Sequence, residues 1–328
     1  ILSHAGMDPT VVVGGKVAAM GGSNARVGKS DFLVVESDES DGSFLKLSPI
    51  FAIVTNIDRE HLDHYSDIEA IRAAFTEFVN KVPFYGAAIV CLDSENVQSI
   101  LPDVRRRTIT YGRSAQADYR PVNQNGGNFR LRSRTGDLGE FHLNIPGDHN
   151  ILNATAAIAV AVELGVQPDV IREGLKKFTG VGRRFEIRGE VNGVRVVDDY
   201  GHHPTEIRAT LAAAKSVCRN RLHVLFQPHR YTRTLHLMDD FARAFHAADR
   251  VVVLDIYAAS EKPIEGVTAE ALVDRMRQFG HRGVEYADSS EAGVERIAQG
   301  VEPGDLILTL GAGSVSQLGD RILEKLSA

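Results

Sequence analysis

The sequence DFLVVESDESDGSF, residues 31–44, joins an apolar run to a crowded group of carboxylates. Residues 31–35 are rich in branched and aromatic side chains and predict a short buried strand. Four acidic side chains follow within six residues, beginning at Glu36. Because like charges repel, this pattern indicates either a solvated loop or a site for a cation.

Similar apolar runs recur along the first half of the chain and alternate with helical spacing. Continuous apolar strands separated by helices predict a parallel sheet that is covered on both faces. We predict strands at residues 10–13, 31–35, 49–55 and 87–92, a helix at 67–82, a β-hairpin or meander within 117–146, and helices at 149–164 and 168–178.

A second alternation follows Gly180-Val181-Gly182, which we interpret as a hinge. It predicts strands at 185–197, 222–226, 250–255 and 305–310, and helices at 204–217, 235–247, 268–278, 290–298 and after 311–313. The chain is therefore predicted to be an α/β protein with two doubly wound domains, residues 1–181 and 182–328.

Composition excludes several classes of protein. Hydrophobic residues make up 43% of the chain and charged residues 24%, which is typical of a globular protein, and the formal net charge of -6 argues against extended binding to nucleic acid. We find no apolar run long enough to predict a membrane span. The only cysteines, Cys91 and Cys218, predict a reduced cytoplasmic protein and not a disulfide framework.

Two predicted strand ends carry candidate metal ligands. Ligands of open α/β sheets bind beyond the carboxyl ends of the strands. Glu36 follows one predicted strand and His61 follows the next, so we expect both side chains at one edge of the sheet. Mg²⁺ takes oxygen ligands, often one or two carboxylates with phosphates completing the shell. A solvated loop at Glu36 and a structural histidine remain the alternatives.

Asn150 and Asn153 open a predicted helix and lie three residues apart, so they share one face. Each amide offers a donor and an acceptor, which suits the edge of a nucleotide base. Simple capping of the helix is the alternative, but it accounts for only one polar side chain there.

The second domain has its own polar strand ends. The segment VVDDYGHHPTE, residues 196–206, places Asp199, Tyr200 and His202 between a strand and a helix that begins at Pro204. The segment FQPHRYTRT, residues 226–234, places two arginines three residues apart, where they could fork onto a carboxylate. A solvated basic turn is the alternative for the second segment.

Nine segments together resemble a known family, in order and over essentially the whole chain. They are GGKVAAMGGSNARVG (14–28), VVESDESDGSF (34–44), IVTNIDREHLDHY (53–65), PGDHNILNATAA (146–157), GVGRRFE (180–186), DDYGHHPTEIRATL (198–211), QPHRYTRT (227–234), DIYAASEKPIEGV (255–267) and LTLGAGSV (308–315). The chain resembles the Mur ligases, the ATP-dependent amino-acid ligases of peptidoglycan synthesis.

The resemblance implies a central ATPase-type domain, truncated at its amino terminus, and a Rossmann-like C-terminal domain. It further implies a bacterial cytoplasmic enzyme that uses ATP and Mg²⁺ to join L-alanine to the carboxylate of UDP-N-acetylmuramate through an acyl phosphate. Two alternatives stay open. One is the related ligase that recycles an intact tripeptide, and the other is a non-catalytic nucleotide- or muropeptide-binding protein.

The resemblance also implies roles for matched residues. Glu36 and His61 would each hold a metal ion, and Asn150 and Asn153 would bind the nucleotide. In the second domain, Arg184 would contact ATP from the hinge, Asp199 would contact the ATP ribose, Tyr200 would line the same site, and His202, Arg230 and Arg233 would grip the amino acid and the substrate. The resemblance does not rank the remaining acids, Asp38, Glu39 and Asp41.

The sequence departs from the family pattern at two points. Glu60 precedes His61 where the family usually has aspartate, which is a conservative change. The family's glycine-rich phosphate-binding loop has no counterpart here, and we expect it upstream of Ile1, because residues 1–5 read as the end of a helix. Losing roughly three charged hydrogen bonds would cost about 5–9 kcal/mol, or about 10³ to 10⁶ in ATP affinity. We therefore expect this polypeptide alone to release no phosphate above a Glu36→Ala control.

Overall fold

The computed structural model describes residues 1–61 and 64–328. The chain forms two compact units, which are treated separately below. Unit 1 comprises Ile1–Ile145 and His149–Thr179, and unit 2 comprises Pro146–Asp148 and Gly180–Ala328. Both units combine helices with sheets whose central strands are parallel, so the predicted α/β class is confirmed.

Unit 1 contains nine strands and four helices among the described residues. The strands are β1 (Thr10–Val17), β2 (Ser23–Arg26), β3 (Leu33–Val35), β4 (Phe51–Val54), β5 (Ala87–Cys91), β6 (Thr108–Tyr111), β7 (Tyr119–Asn125), β8 (Asn128–Ser133) and β9 (Gly136–His142). The helices are α1 (Ile68–Asn80), α2 (Glu95–Ile100), α3 (Asp148–Glu163) and α4 (Pro168–Lys176).

The main sheet of unit 1 has the order β4-β5-β6-β7-β8-β9. The first four strands are parallel, and β7–β9 form the predicted antiparallel meander. Alternate residues of β5 face opposite sides of the sheet. Ala88 and Val90 pack with α1 and α2, whereas Ala87 and Ile89 pack with α3 and α4. Helices therefore cover both faces of these strands, as their continuous apolar sequences predict.

The strand that precedes Glu36 does not join this sheet. β3 pairs with β1, which also pairs with β2, in a separate three-stranded sheet. The predictions that residues 31–35 form a buried strand and that this strand neighbours β4 are wrong. Leu33, Val34 and Val35 are 60%, 41% and 40% exposed. Apolar residues show that a strand can be buried, but they do not specify its neighbour or what packs over it.

Unit 2 contains six strands and six helices among the described residues. The strands are β10 (Glu186–Val191), β11 (Val194–Asp199), β12 (Leu222–Phe226), β13 (Arg250–Leu254), β14 (Val284–Ala287) and β15 (Leu306–Leu310). The helices are α5 (Pro204–Val217), α6 (Tyr231–His236), α7 (Met238–Ala242), α8 (Ala269–Gln278), α9 (Ser290–Ala298) and α10 (Leu318–Ser327).

The sheet of unit 2 is doubly wound, as predicted. Its order is β10-β11-β15-β12-β13-β14, and every pairing except β10–β11 is parallel. Helices α5, α7 and α8 cover one face, where Leu211, Phe241 and Leu272 are buried. Helices α9 and α10 cover the other face, where Ile297 and Ile322 are buried. This arrangement brings the carboxyl ends of β11, β12 and β13 to one edge of the sheet.

Three details of unit 2 differ from the prediction. Residues 185–197 form a hairpin instead of one strand, because Asn192 and Gly193 adopt φ angles of 51° and 77° and reverse the chain. The predicted helix at 235–247 is replaced by the two short helices α6 and α7. The strand β14 was not predicted, since its four residues are too few for a clear pattern.

In the part of the chain that the structure describes, no helix combines the length and the apolar character needed to cross a membrane. Cys91 and Cys218 are both free thiols.

Candidate active site

In unit 1, the first candidate site residue is Glu36, which directly follows β3. The amide of Gly14 donates a hydrogen bond of 2.7 Å to Oε2 of Glu36, and the amide of Glu36 donates one of 2.8 Å to the carbonyl of Val12. The carboxylate is exposed. These bonds fix the carboxylate against the middle of β1 while leaving acceptor capacity for a further ligand.

His61 lies beyond the end of β4 and contacts the acidic loop through a different carboxylate. Its Nε2 atom lies 3.5 Å from Oε1 of Glu39, and the hydroxyl of Tyr65 donates to the carbonyl of Glu39 at 2.8 Å. Burial lowers the pKa of His61, but Glu39, Glu60 and Asp38 outweigh burial and raise the pKa overall. The two loops therefore meet even though their strands belong to different sheets. Leu62 and Asp63, in the same predicted motif, lie outside the described residues.

The potential metal ligands of this region suit a hard cation that also binds phosphate. Glu36 offers an anchored carboxylate, and a carboxylate beside Nε2 of His61 can orient that ring so that Nδ1 faces a metal ion. No group of three or more potential ligands is assembled among residues 1–61 and 64–328. Mg²⁺ nevertheless needs only one or two carboxylates when phosphates supply other oxygens.

Asn150 and Asn153 lie in the first turns of α3, as predicted. Asn153 is exposed and Asn150 is half-buried. Their spacing places both amides on one side of the helix. Both side chains thus lie at a helix start, where a nucleotide can also meet backbone donors.

In unit 2, a separate group of candidate site residues begins with Asp199, the last residue of β11. The amide of Phe185 donates to Oδ2 at 2.8 Å, and Oδ1 accepts from the amide of Gly201 at 2.8 Å and from the hydroxyl of Thr210 at 3.0 Å. Burial raises the pKa of Asp199, while the bonds from Gly201 and Phe185 oppose that shift. Three of the about four hydrogen bonds that a carboxylate can accept are therefore made within unit 2, and the residue is 5% exposed.

Tyr200 lies beside two arginines of the hinge segment. The guanidinium carbons of Arg183 and Arg184 lie 4.9 and 5.5 Å from the centre of its ring. Arg183 also donates to Oδ2 of the buried Asp198 at 3.2 Å and to the carbonyl of Gly311 at 2.6 Å. Arg183 is therefore held inside unit 2, whereas the side chain of Arg184 is 50% exposed and can reach a ligand.

His202 and Glu206 link this strand end to the start of α5. Nδ1 of His202 lies 3.2 Å from the carbonyl of Tyr200 and 3.5 Å from Oε2 of Glu206. The carboxylate of Glu206 also accepts from the amide of His202 at 3.0 Å and lies 3.5 Å from Arg184. Glu206 thus fixes two predicted site residues.

The two arginines after β12 are held differently from each other. Nη1 of Arg233 donates to Nδ1 of His229 at 3.2 Å and to the carbonyl of His229 at 3.3 Å. Arg230 adopts φ 71° and ψ 137°, and its guanidinium lies 3.9 Å from Oε1 of Glu261. The ring of His229 lies 6.0 Å from the ring of His202, so the predicted residues of unit 2 form one cluster.

Sequence reasoning assigned no role to four residues of this cluster: Glu206, His229, Tyr257 and Glu261. Glu206 carried a usable signal, because a glutamate three residues after a capping residue is typical of a capping box, which His203 and Glu206 do form. Tyr257 and Glu261 lie in the segment 255–267, for which the sequence suggested no role.

Comparison with known proteins shows that both units match domains of one family. Residues 23–161 match the Mur ligase middle domain, and residues 183–313 match the Mur ligase, glutamate ligase domain. The chain is 68% identical over 330 residues to the UDP-N-acetylmuramate–L-alanine ligase of Solibacter usitatus, covering 99% of this chain and 70% of that protein. A ligase of the same name from a Geobacter species is 54% identical over 333 residues, covering 100% of this chain and 72% of that protein.

Among solved structures, the chain is similar to the UDP-N-acetylmuramate–alanine ligase of Thermotoga maritima. The TM-score is 0.80 at 28% identity, and the match covers 99% of this chain and 70% of that one. This chain therefore spans about 70% of the length of the proteins that it resembles.

Proposed function

The chain belongs to the Mur ligase family, and from that premise we propose that it supplies the catalytic residues of an ATP-dependent ligase that joins L-alanine to UDP-N-acetylmuramate. The observation that carries this proposal is the cluster in unit 2, where Arg230 and Arg233 meet His202 and His229 beyond the ends of the parallel strands. Two fork-shaped cations in a partly buried, aromatic setting are suited to a carboxylate.

The reaction that fits these groups proceeds in two steps. An oxygen of the muramoyl carboxylate attacks the γ-phosphorus of ATP, ADP leaves, and an acyl phosphate forms. The amine of L-alanine, after losing a proton, then attacks the acyl carbon, and the tetrahedral intermediate expels inorganic phosphate to leave an amide. Such transfers depend on positioning and charge stabilisation, so a nucleophilic side chain of the protein is not needed.

Arg230 and Arg233 would hold the carboxylate of L-alanine, and this contact orients the amine toward the acyl carbon. His202 lies beside them and would contact the substrate or the amine. His229 is neutral at neutral pH, because burial, then Arg233, His202 and Arg230, lower its pKa to about 4. A neutral imidazole leaves the positive charge of the arginine pair available to the amino acid without adding a competing cation.

Each unit carries its own candidate nucleotide-binding residues. Asn150 and Asn153 of α3 would contact the base or sugar, and the remaining acceptor position of Asp199 would take a ribose hydroxyl. Arg184 and Tyr200 would contact ATP from unit 2. These assignments rest on the match of each residue to the family pattern and on its placement at a strand end or helix start.

Glu36 is the residue that would hold Mg²⁺, and His61, oriented by Glu39, would hold a second metal ion. Bound divalent cations would neutralise the phosphate oxygens and the developing negative charge. The protein contributes the fixed position of Glu36, which its bond to the amide of Gly14 provides. We infer that this enzyme works in the bacterial cytoplasm, where UDP-linked peptidoglycan precursors and ATP are available.

The tripeptide-recycling ligase is the closest alternative, and the comparisons do not favour it. The 68% identity to a ligase likewise does not favour the alternative of a binding protein that lacks catalytic activity. The test is a ligation assay with ATP, UDP-N-acetylmuramate and either L-alanine or tripeptide. It uses the chain alone and the chain joined to the part of the Solibacter ligase that lies outside the aligned region. Product with L-alanine in either preparation supports the proposal. Product with tripeptide only, or none from two folded preparations, contradicts it.

A further inference from the structure

We propose that Tyr257 and Glu261 are positioning residues that hold Arg230 and Arg233 ready for the carboxylate of the amino-acid substrate. This inference rests on the proposed function and deepens it. Both residues lie in the loop that follows β13, and both contact the loop that follows β12. We refer to residues 255–261 as the clamp loop.

The backbone of Tyr257 holds Arg230 in an unfavourable conformation. The amide of Arg230 donates to the carbonyl of Tyr257 at 2.8 Å, and the amide of Tyr257 donates to the carbonyl of Pro228 at 2.8 Å. These bonds extend the parallel pairing of β12 and β13 by one bridge, between His229 and Tyr257. Arg230 has a φ of 71°, and a positive φ at a residue with a side chain is unfavourable and persists only where its surroundings enforce it. The clamp loop supplies that enforcement.

The ring of Tyr257 extends the same support to Arg233. It stacks on the ring of His229 with centres 5.4 Å apart and an angle of 9° between the planes. His229 in turn accepts a hydrogen bond from Arg233 at 3.2 Å. Tyr257 is 41% exposed, but one side of it packs closely on Gly313, where a Cβ atom would lie only 2.8 Å from Cγ of Tyr257. The stack therefore sets the orientation of His229, and through it that of Arg233.

Glu261 fixes the start of α6, which contains Arg233 and directly follows Arg230. Its Oε2 accepts from the amide of Thr232 at 3.0 Å, and its Oε1 accepts from the hydroxyl of Thr232 at 2.7 Å. Oε1 also lies 3.9 Å from Arg230, too far for a hydrogen bond but close enough to attract it. Burial raises the pKa of Glu261, but the bonds from Thr232 outweigh burial and lower the pKa, so the carboxylate is ionised at neutral pH.

This arrangement predicts that changes in the clamp loop affect the binding of the two substrates unequally. Tyr257 and Glu261 act through Arg230, His229 and Arg233, so their loss should weaken the binding of L-alanine and leave the binding of ATP nearly unchanged. A residue that only stabilised the fold would instead lower the melting temperature and affect both substrates together.

The test compares four variants: Tyr257→Ala, Tyr257→Phe, Glu261→Gln and Glu265→Gln. Tyr257→Phe keeps the stacked ring, and Glu265→Gln makes the same charge change at an exposed position four residues beyond Glu261. We expect Tyr257→Ala and Glu261→Gln to raise the KM for L-alanine roughly tenfold to hundredfold, with the KM for ATP within about twofold. In Tyr257→Phe and in Glu265→Gln, the KM for L-alanine should stay at the wild-type value.

A second readout, the pKa of His229 followed by NMR, does not depend on turnover. Its ring faces Arg233, His202, Arg230 and Glu261, and its pKa lies near 4. Loss of the stacked ring should admit water and raise this pKa in Tyr257→Ala. Loss of the negative charge should lower it in Glu261→Gln, so the two variants should shift it in opposite directions.

The possible outcomes distinguish a failure of the inference about the clamp loop from a failure of the proposed function. If neither wild-type preparation consumes L-alanine, the proposed function has failed. The pKa shifts of His229 in Tyr257→Ala and Glu261→Gln then test the positioning role of the clamp loop on their own. Opposite shifts support it, and unchanged pKa values overturn it. If wild type is active, an unchanged KM for L-alanine in both Tyr257→Ala and Glu261→Gln overturns the clamp. Equal losses for L-alanine and ATP with a lowered melting temperature also overturn it.

Discussion

Arg233 donates a hydrogen bond from Nη1 to Nδ1 of His229 across 3.2 Å. Because a guanidinium has donors only, Nδ1 must accept, and the imidazole proton therefore resides on Nε2. Burial, then the charges of Arg233, His202 and Arg230, lower the pKa of His229 to about 4. The ring therefore orients Arg233 without taking up a proton near neutral pH, and the guanidinium keeps its charge for an anionic ligand.

Replacing Arg233 with lysine should weaken the binding of L-alanine. Lysine keeps the charge but loses the planar fork and the bond to His229. At about 1.5–3 kcal/mol for a hydrogen bond to a charged group, we expect the KM for L-alanine to rise roughly tenfold to hundredfold. Initial rates at varied L-alanine measure this. Arg219→Lys, at an exposed position in unit 2, is the matched control, and equal KM values in both variants would count against the assignment.

Replacing Glu36 with glutamine should raise the Mg²⁺ concentration needed for nucleotide binding. The amide can still face Gly14, but it lacks the negative charge that a hard cation requires. We expect the requirement to rise at least about tenfold, which corresponds to about 1.4 kcal/mol. Calorimetric titration with ATP at several Mg²⁺ concentrations gives the value. Asp31→Asn removes a charge from the same segment and should leave the requirement unchanged; a like response in both variants would refute a specific role for Glu36.

Replacing Asn153 with alanine should weaken ATP binding without affecting L-alanine. The exposed amide lies near the start of α3, and a neutral hydrogen bond contributes about 0.5–1.5 kcal/mol, so the dissociation constant for ATP should rise roughly twofold to tenfold. Fluorescence titration with a labelled nucleotide can resolve this change. Asn24→Ala, exposed on β2, serves as the control. Unaltered ATP affinity in Asn153→Ala would remove this residue from the nucleotide site.

The stability of the chain should fall as the pH drops below about 6.5, partly because of His281. This residue is 6% exposed, its Nε2 donates to the carbonyl of Phe245 at 3.2 Å, and burial lowers its pKa. The unfolded state therefore binds more protons than the folded state below the ordinary pKa. The loss from one such group is at most about 1.4 kcal/mol per pH unit.

His281→Gln can keep the hydrogen bond to Phe245 and removes the titration. Urea unfolding at pH 7.5 and at pH 5.5 (about one unit on either side of the ordinary pKa) should show a smaller loss of stability in this variant than in wild type. His236→Gln, at an exposed position, should lose as much as wild type. A loss in His281→Gln equal to that of wild type would contradict the prediction.

Local sequence signals determined the elements of unit 2 best where they were redundant. The predicted bounds of α5 and α9 coincide with the observed ones, because Pro204 and a capping box begin α5 and Ser289 caps α9. The dipeptide Asn192-Gly193 is an equally clear signal for a hairpin turn, although the prediction placed a single strand there. Strand β14 is different, since four residues in a buried parallel position have no distinguishing period.

The pairing of β3 could not be predicted from its residues. An apolar run shows that a strand prefers burial, but its partner depends on long-range contacts with β1. The residues of the unit 2 cluster were easier to find, because polar side chains after parallel strands meet at one edge of the sheet. The family resemblance itself is confirmed by the match of both domains.

The contacts of Glu39, Tyr257 and Glu261 were beyond sequence reasoning for a related reason. Each joins two segments that are distant in the chain, such as Glu261 and Thr232, whose positions differ by 29. A single sequence records which side chains are present, but the three-dimensional structure decides which of several acids in a loop faces a given partner. The roles of the individual site residues therefore stay predictions until the variants are measured.

The most direct test of the proposed reaction follows an oxygen atom. UDP-N-acetylmuramate labelled with ¹⁸O in its muramoyl carboxylate is incubated with ATP, L-alanine and the preparation that is active in the ligation assay, and the released phosphate is analysed by mass spectrometry. Attack of the carboxylate on ATP predicts that each phosphate released with product carries one ¹⁸O atom. Amide product accompanied by unlabelled phosphate, or label release that does not require ATP, would contradict the acyl-phosphate ligase.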